Sequence, residues 1–204
     1  GAADAMRRAA RASGSDLLAD PFDAEAMARR EDPGAFSERV HPLMAQGRLD
    51  EAAAWIAVLM RDYPDYPDTW LAAGRHEYLR GNPVAAERHL RRHLELEARS
   101  VQGWFQLGMF LLGQRRDAEA VEAFGRAVDL KPDLAPAWHN RGLALGRLGR
   151  RPEAMRAFGE VLRLSPDHLE AYLLFADLHL QEGRRTAALE LLDQARVLAP
   201  DDPR

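Results

Sequence analysis

Residues of the same type recur along this chain at intervals of 34 positions, and no other feature constrains its fold as strongly. The columns include alanines at Ala52, Ala86, Ala120, Ala154 and Ala188, aromatic residues at Trp70, Trp104, Trp138 and Tyr172, and small residues at Gly74, Gly108, Gly142 and Ala176. Turn glycines, prolines and large apolar residues follow in the same register. A fixed period of this length predicts a stack of similar supersecondary units, each burying its apolar face against the next.

The order of residue types within one period resembles that of the tetratricopeptide repeat. An aromatic residue is followed four positions later by a small residue, then by a turn glycine, an alanine, a large apolar residue and a closing proline. The resemblance divides the chain into repeats 33–66, 67–100, 101–134, 135–168 and 169–202, within a repeat region of 33–204. It implies an all-α fold, in which antiparallel helix hairpins stack into a right-handed α-solenoid.

Glycine and proline positions agree with helix hairpins. Gly142 lies one helical turn after Trp138, where we expect the two helices of a hairpin to approach too closely for a side chain. Gly149 falls between two helices, at a turn that favours positive φ. Pro152 falls near a helix start, where a missing N–H does no harm. Pro42 falls inside the first helix, which predicts a kink or a late start of that helix.

The two ends of the chain lack the repeat pattern. Residues 1–32 carry no repeat signal, and we expect them to cap the first repeat or to be partly disordered. The sequence stops shortly after Pro200, without the polar capping element that usually finishes a solenoid. This end predicts either a chain cut from a longer protein or a terminal surface covered by a partner.

Composition narrows the classes of function. The net charge of −4 gives no basis for binding nucleic acid, and the absence of cysteine excludes disulfides and thiolate chemistry. No apolar run approaches the roughly 20 residues that span a bilayer, so we expect no direct membrane insertion. All basic residues except Lys131 are arginine, which is typical of a GC-rich bacterial genome. Cytoplasmic and periplasmic locations both remain open.

One histidine pair has the spacing of metal ligands. His89 and His93 are four residues apart on one helix face, with Glu97 one turn further. His93 occupies a position where the resembling family prefers a small packing residue, so a structural or solvated role is favoured over a metal site. Neither a nucleophile–base order nor a phosphate-binding glycine loop is found. We therefore expect a non-enzyme with no cofactor and no metal.

The resemblance further implies that the first helix of each repeat lines a concave groove. Carried onto this sequence, the groove positions are Leu71, Arg75, Tyr78, Phe105, Gln106, Met109, Leu112, His139, Asn140, Leu143, Arg147, Leu173 and Asp177. The segment 104–112 is apolar nearly all round its helix, which is more than a one-sided helix needs. An exposed apolar stripe usually marks a binding site, although ordinary packing of Phe105, Met109 and Leu112 is an open alternative.

These observations predict a protein–protein interaction scaffold that binds a peptide or an amphipathic helix in its groove. Two alternatives stay open. The chain could be the recognition arm of a larger enzyme of the glycosyl- or sulfotransferase type, or a scaffold that assembles with copies of itself. The partner is another protein in each of the scaffold readings, and the sequence does not name it.

Overall fold

The computed structural model describes residues 33–199, including all side chains in this range except those of residues 35–38; the predictions for residues 1–32 lie outside it. The regular secondary structure of the described range is all helical, with no strand. Its ten helices are α1 (Pro33–Ala45), α2 (Leu49–Asp62), α3 (Pro67–Leu79), α4 (Pro83–Leu96), α5 (Val101–Gly113), α6 (Asp117–Leu130), α7 (Ala135–Arg147), α8 (Arg151–Leu164), α9 (Leu169–Gln181) and α10 (Arg185–Leu198). The predicted fold class, an all-α helical repeat solenoid, is confirmed.

The helices divide into two compact units, with the division between Ala98 and Arg99. In the first unit α1 packs on α2 and α3 packs on α4, and α3 also contacts α1 and α2. In the second unit the hairpins are α5–α6, α7–α8 and α9–α10, joined by contacts of α6 with α7 and of α8 with α9. Each hairpin therefore buries its apolar face against the next one within its unit, as stacked repeats require.

The turn inside each hairpin is the same helix C-cap. In α7–α8 the N–H of Arg150 donates to the Leu145 carbonyl (2.9 Å) and the N–H of Gly149 donates to the Gly146 carbonyl (3.0 Å). Gly149 takes a φ of +71°, the left-handed conformation that this cap needs. The turn-glycine column is interrupted at Arg115, and the backbone there adopts the same conformation, with a φ of 60°. The fold thus enforces this left-handed turn conformation even at an arginine, a residue that disfavours positive φ.

The small-residue column and the large apolar column prove to be one packing contact. A Cβ added to Gly142 would lie 2.9 Å from Cζ of Phe158, which is buried in the facing helix α8. The corresponding atoms at Gly108 and Gly74 would lie 2.7 Å from Phe124 and 2.8 Å from Leu90. The predicted close approach of the two helices is confirmed, and it explains why a helix interior tolerates these glycines.

The aromatic and proline columns are also connected. The indole N–H of Trp138 donates to the Pro132 carbonyl at 2.9 Å, and that of Trp70 donates to the Pro64 carbonyl at 2.7 Å. Each bond ties a first helix to the end of the preceding helix pair.

Pro42 lies inside α1, which begins at Pro33 and continues past Pro42. The prediction of a late helix start at Pro42 is therefore wrong.

Candidate functional site

In the second unit, α5, α7 and α9 are the first helices of three successive hairpins, and they carry most of the predicted groove residues. Helix α5 contacts α7 directly. The Arg147 guanidinium of α7 reaches back to donate to the Leu112 carbonyl of α5 at 3.3 Å. On the other side, Nε2 of His139 lies 3.7 Å from Oε2 of Glu170 in α9. We call the exposed and half-buried side chains of the predicted groove residues on these three helices the α5/α7/α9 surface.

The apolar part of this surface centres on α5. Met109 is 40% exposed, although it belongs to a helix whose other large apolar residues are mostly covered. Phe105, Leu143 and Leu173 are half-buried, so part of each side chain is accessible. Phe105 packs on Phe124 of α6, with the two ring centroids 5.8 Å apart. The surface therefore offers a flexible thioether beside an anchored aromatic ring, a combination that suits an apolar side chain of a ligand.

Two of the predicted groove residues are not available at any surface. Leu112 is 8% exposed and Leu71 of the first unit is 5% exposed. The reason is that their helices have several neighbours: α5 is covered by α6 and α7, and α3 by α1, α2 and α4. These neighbouring helices can bury an apolar residue on a helix face that a single hairpin would leave exposed to solvent. We remove Leu71 and Leu112 from the candidate contact residues.

Polar groove residues of the second unit have partners that orient them. Arg147 also approaches Oδ1 of Asp117 at 3.4 Å, and its side chain remains 38% exposed. The Asn140 amide donates to the Pro136 carbonyl (2.8 Å), and exposed Asp177 accepts from the Gln181 amide (2.7 Å). Gln106 is half-buried. The surface thus places the Arg147 guanidinium and the Asp177 carboxylate on different helices, which would fix the direction of a bound segment more than its affinity.

A histidine pair between α7 and α9 was missed by sequence reasoning. His139 was predicted at the groove, but its ring stacks on His168 (centroids 4.9 Å apart) and meets Phe158 edge-on (5.9 Å). His168 is the N-cap of α9, and its Nδ1 accepts from the N–H of Ala171 at 3.3 Å. Burial lowers the pKa of His139, Glu170 opposes this change, and His168 adds to it. The only sequence signal was a histidine at a helix-capping position.

The first unit carries the remaining predicted residues. Arg75 lies 2.9 Å from Nδ1 of His41, and Tyr78 is 50% exposed. Burial and the charge of Arg75 lower the pKa of His41, while Asp68 opposes them. A neutral His41 ring therefore accepts from the Arg75 guanidinium.

The histidines with metal-ligand spacing do not point to one site together. His89 is buried with its ring 5.5 Å from that of Trp70, and burial together with Arg88 lowers its pKa. His93 is fully buried, and its Nδ1 lies 2.9 Å from the Pro67 carbonyl. The structural role predicted for His93 agrees with this packing, because the ring joins α4 to the start of α3.

Comparison with known families decides the identity of the repeat. Tetratricopeptide repeat family models match residues 71–135 and 147–204. The chain is a tetratricopeptide repeat protein. Membership of this family indicates a scaffold for protein–protein interactions. No curated protein matches the sequence significantly. In the described range, 33–199, no helix of this tetratricopeptide repeat protein has the length and hydrophobicity to cross a bilayer.

Solved structures of other tetratricopeptide repeat proteins share the fold. MamA from Desulfovibrio magneticus RS-1, residues 41 to the end, is similar with a TM-score of 0.74 and 16% identity, over 84% of this chain and 97% of that one. YrrB, described as a TPR protein with an unusual peptide-binding site, has a TM-score of 0.73 and 22% identity, over 87% and 92% of the two chains. PilF from Pseudomonas aeruginosa has a TM-score of 0.73 and 21% identity, over 83% and 78%. At these identities the likeness concerns the fold.

Proposed function

We propose that this protein is a non-catalytic scaffold that binds a peptide or an amphipathic helix of a partner protein on the α5/α7/α9 surface. The exposure of Met109 carries the proposal. It is 40% exposed on a helix that packs its other faces against α6 and α7, so the accessible apolar strip serves no packing purpose within the second unit. YrrB, which has the same fold, is described as having a peptide-binding site.

The chemistry of the surface fits a mostly apolar ligand with charged ends. Phe105, Leu143 and Leu173 are half-buried, so packing already restricts part of each side chain and less side-chain entropy is lost when a ligand contacts them. Arg147 offers guanidinium N–H groups for a carboxylate, and Asp177 offers a carboxylate for a basic group. Burial of a few central side chains would supply most of the affinity. Arg75 and Tyr78 remain predicted contacts on the first unit.

Peptides selected from a displayed random library against the purified protein provide a direct test. The double variant Phe105→Ala/Met109→Ala is expected to weaken binding of the selected peptides at least tenfold, with the helical circular dichroism signal unchanged. Met109→Glu tests the same surface. Because Met109 is already exposed, this variant is expected to fold as the unmodified protein does.

Leu189→Ala is the matched control, because Leu189 is a 61% exposed apolar residue on α10, outside the proposed surface. It is expected to leave the affinity within twofold of the unmodified protein. Loss of binding in Leu189→Ala, with full binding in Met109→Glu, would move the site to α10 and refute the proposal.

Self-association is a second candidate, favoured by the apolar residues of α10. Leu189 and Val197 are 61% and 80% exposed, and α10 packs chiefly on α9 among the helices of the described range. Sedimentation velocity at increasing concentration tests this role. A sedimentation coefficient that rises with concentration, and no longer rises in Leu189→Asp, would support it, whereas a constant monomer value would exclude it.

A further inference from the structure

Helix α8 lines a second accessible groove on the second unit, and none of the predicted groove residues belongs to it. The groove consists of two adjoining pockets, one between α8 and α9 of about 430 Å³ and one between α7 and α8 of about 500 Å³. Arg156 and Gly159 line both pockets, so the two are continuous along α8. We call the two pockets together the α8 groove.

The walls of the α8 groove are mostly apolar and include two aromatic side chains. In the pocket between α8 and α9, the Phe175 ring packs on that of His179, with the centroids 4.9 Å apart. In the pocket between α7 and α8, the Arg141 guanidinium lies over the Trp138 ring, 5.5 Å from its centroid. Phe175 and Trp138 are half-buried, so part of each ring remains accessible. The groove can therefore receive apolar side chains of a ligand.

Gly159 is a glycine that internal packing does not require. It lies in the interior of α8, where glycine is ordinarily less favourable than alanine. A Cβ at this position would meet only Cε1 of Phe175, at 4.0 Å, which is an ordinary van der Waals contact. At Gly142, by contrast, a Cβ would collide with the Phe158 ring. A glycine on an accessible helix face allows the backbone of a ligand to approach closely.

The charged side chains of the groove leave an excess of positive charge. Each carboxylate that lines it has an arginine partner. The pairs are Glu153 with Arg150 (2.7 Å), Glu160 with Arg163 (2.8 Å) and Glu182 with Arg151 (3.9 Å). Arg156 and Arg184 also line the groove, and neither guanidinium forms an ion pair or a hydrogen bond with any residue between 33 and 199.

The surroundings of Glu153 show the same excess. The hydrogen bond from Arg150 lowers the pKa of the Glu153 carboxyl, desolvation opposes this change, and the charges of Arg150, Arg156 and Arg141 lower the pKa further. One carboxylate therefore lies in the field of three guanidinium groups. A ligand that brings further carboxylates would complement this charge.

We propose that the α8 groove binds an acidic segment of a partner protein, in which carboxylates flank an aromatic or large apolar side chain. The apolar side chain enters a pocket beside Phe175 or Trp138, and the flanking carboxylates accept hydrogen bonds from Arg156 and Arg184. A guanidinium can bind a carboxylate through two parallel bonds, and these two arginines have no ion pair within the described range to give up. The α8 groove and the α5/α7/α9 surface are different sites, so binding at one can be lost while binding at the other persists.

Peptides selected from a displayed random library against the full chain carrying Met109→Glu test this site, because that change disables the α5/α7/α9 surface. We expect the selected peptides to be enriched in aspartate and glutamate beside an aromatic or large apolar residue, and their affinity to fall as salt is raised. Arg156→Glu, at an exposed position, is expected to weaken their binding at least tenfold. Arg196→Glu is the matched control, because it makes the same charge change at a 76% exposed side chain of α10; it should leave the affinity within twofold.

Gly159→Leu separates binding from folding. It fills the part of the groove that both pockets share and adds helix propensity, so we expect at least a tenfold loss of binding with no fall in the urea unfolding midpoint. Failure to select any peptide, selected peptides without acidic residues, or an affinity that survives Arg156→Glu or Gly159→Leu overturns the proposal. A sedimentation coefficient that rises with concentration in the unmodified chain and not in Arg156→Glu would assign the groove to a second copy of the chain, and would overturn it as well.

Discussion

Two glycines of α7, one turn apart, are predicted to respond in opposite ways to the same substitution. Gly142 and Gly146 are both helical, and alanine at a helix interior is ordinarily better than glycine by about 0.5–1 kcal/mol. A Cβ at Gly146 meets nothing within 4 Å. At Gly142 it would lie 2.9, 3.0 and 3.2 Å from three ring carbons of Phe158.

The expected magnitudes follow from these contacts. Gly146→Ala should raise the free energy of unfolding by about 0.5–1 kcal/mol, because it gains helix propensity without a clash. Gly142→Ala forces the Phe158 ring to move, although Phe158 is only 2% exposed. Such overpacking costs about 1–3 kcal/mol. After the gain in propensity, a net loss of about 1–2 kcal/mol remains. The two variants should therefore differ by about 2 kcal/mol.

Urea unfolding of both variants, followed by circular dichroism at 222 nm, measures this difference. With an m-value of about 2 kcal/mol per molar, the midpoints should be separated by about 1 M urea, on opposite sides of the unmodified chain. Gly142→Ala/Phe158→Leu serves as the control, since a smaller facing side chain should recover part of the loss. Equal stabilisation by both alanines would refute the close approach of α7 and α8.

Three further predictions concern a helix cap, a turn and the half-buried His139. Ser100→Ala should lower the free energy of unfolding by about 1 kcal/mol, because Ser100 Oγ accepts a hydrogen bond from the N–H of Gly103 (3.1 Å) at the start of α5. Ser100→Asp keeps a capping oxygen and should therefore lower the free energy of unfolding less than Ser100→Ala. Arg115→Gly should raise it by about 0.5 kcal/mol in the same urea assay, since relief of the positive φ exceeds the added freedom of the unfolded chain. Burial lowers the pKa of His139, so the unfolded state binds a proton first as the pH falls. Stability is then full above the unfolded pKa of about 6.5 and declines as the pH drops below it. His139→Gln should make the urea midpoint less dependent on pH between 7 and 5, and an unchanged dependence would count against this role.

Contacts that repeat every 34 residues could be predicted from the sequence. The close approach of two helices at Gly142 was predicted, because a small residue that recurs every 34 positions marks a position with one structural role. The facing residue, Phe158, is known only from the structure. The turn at Gly149 was foreseen for the same reason, since a positive φ selects glycine. Arg115 interrupts this glycine column but adopts the same positive φ. The stacking of hairpins therefore outweighs a local conformational cost.

Contacts made once in the chain were not predictable. The stacking of His139 on His168 joins residues that lie in no shared column, and the pattern gives no sign of it. Asp68 approaches His93 and Glu97 only because α3 and α4 are antiparallel and their ends coincide. The burial of Leu71 and Leu112 depends on how many neighbours surround a helix, a property of the assembled unit and not of one repeat.

The most direct measurement of the proposed binding role is site-specific photo-cross-linking of a library-selected peptide. A benzophenone side chain replaces Met109 in one variant and Leu189 in a second, and the cross-linked products are mapped by mass spectrometry. Position 109 is expected to capture the peptide and position 189 to capture none, because only the first lies on the α5/α7/α9 surface. Capture at position 189 alone would contradict the proposed role of that surface.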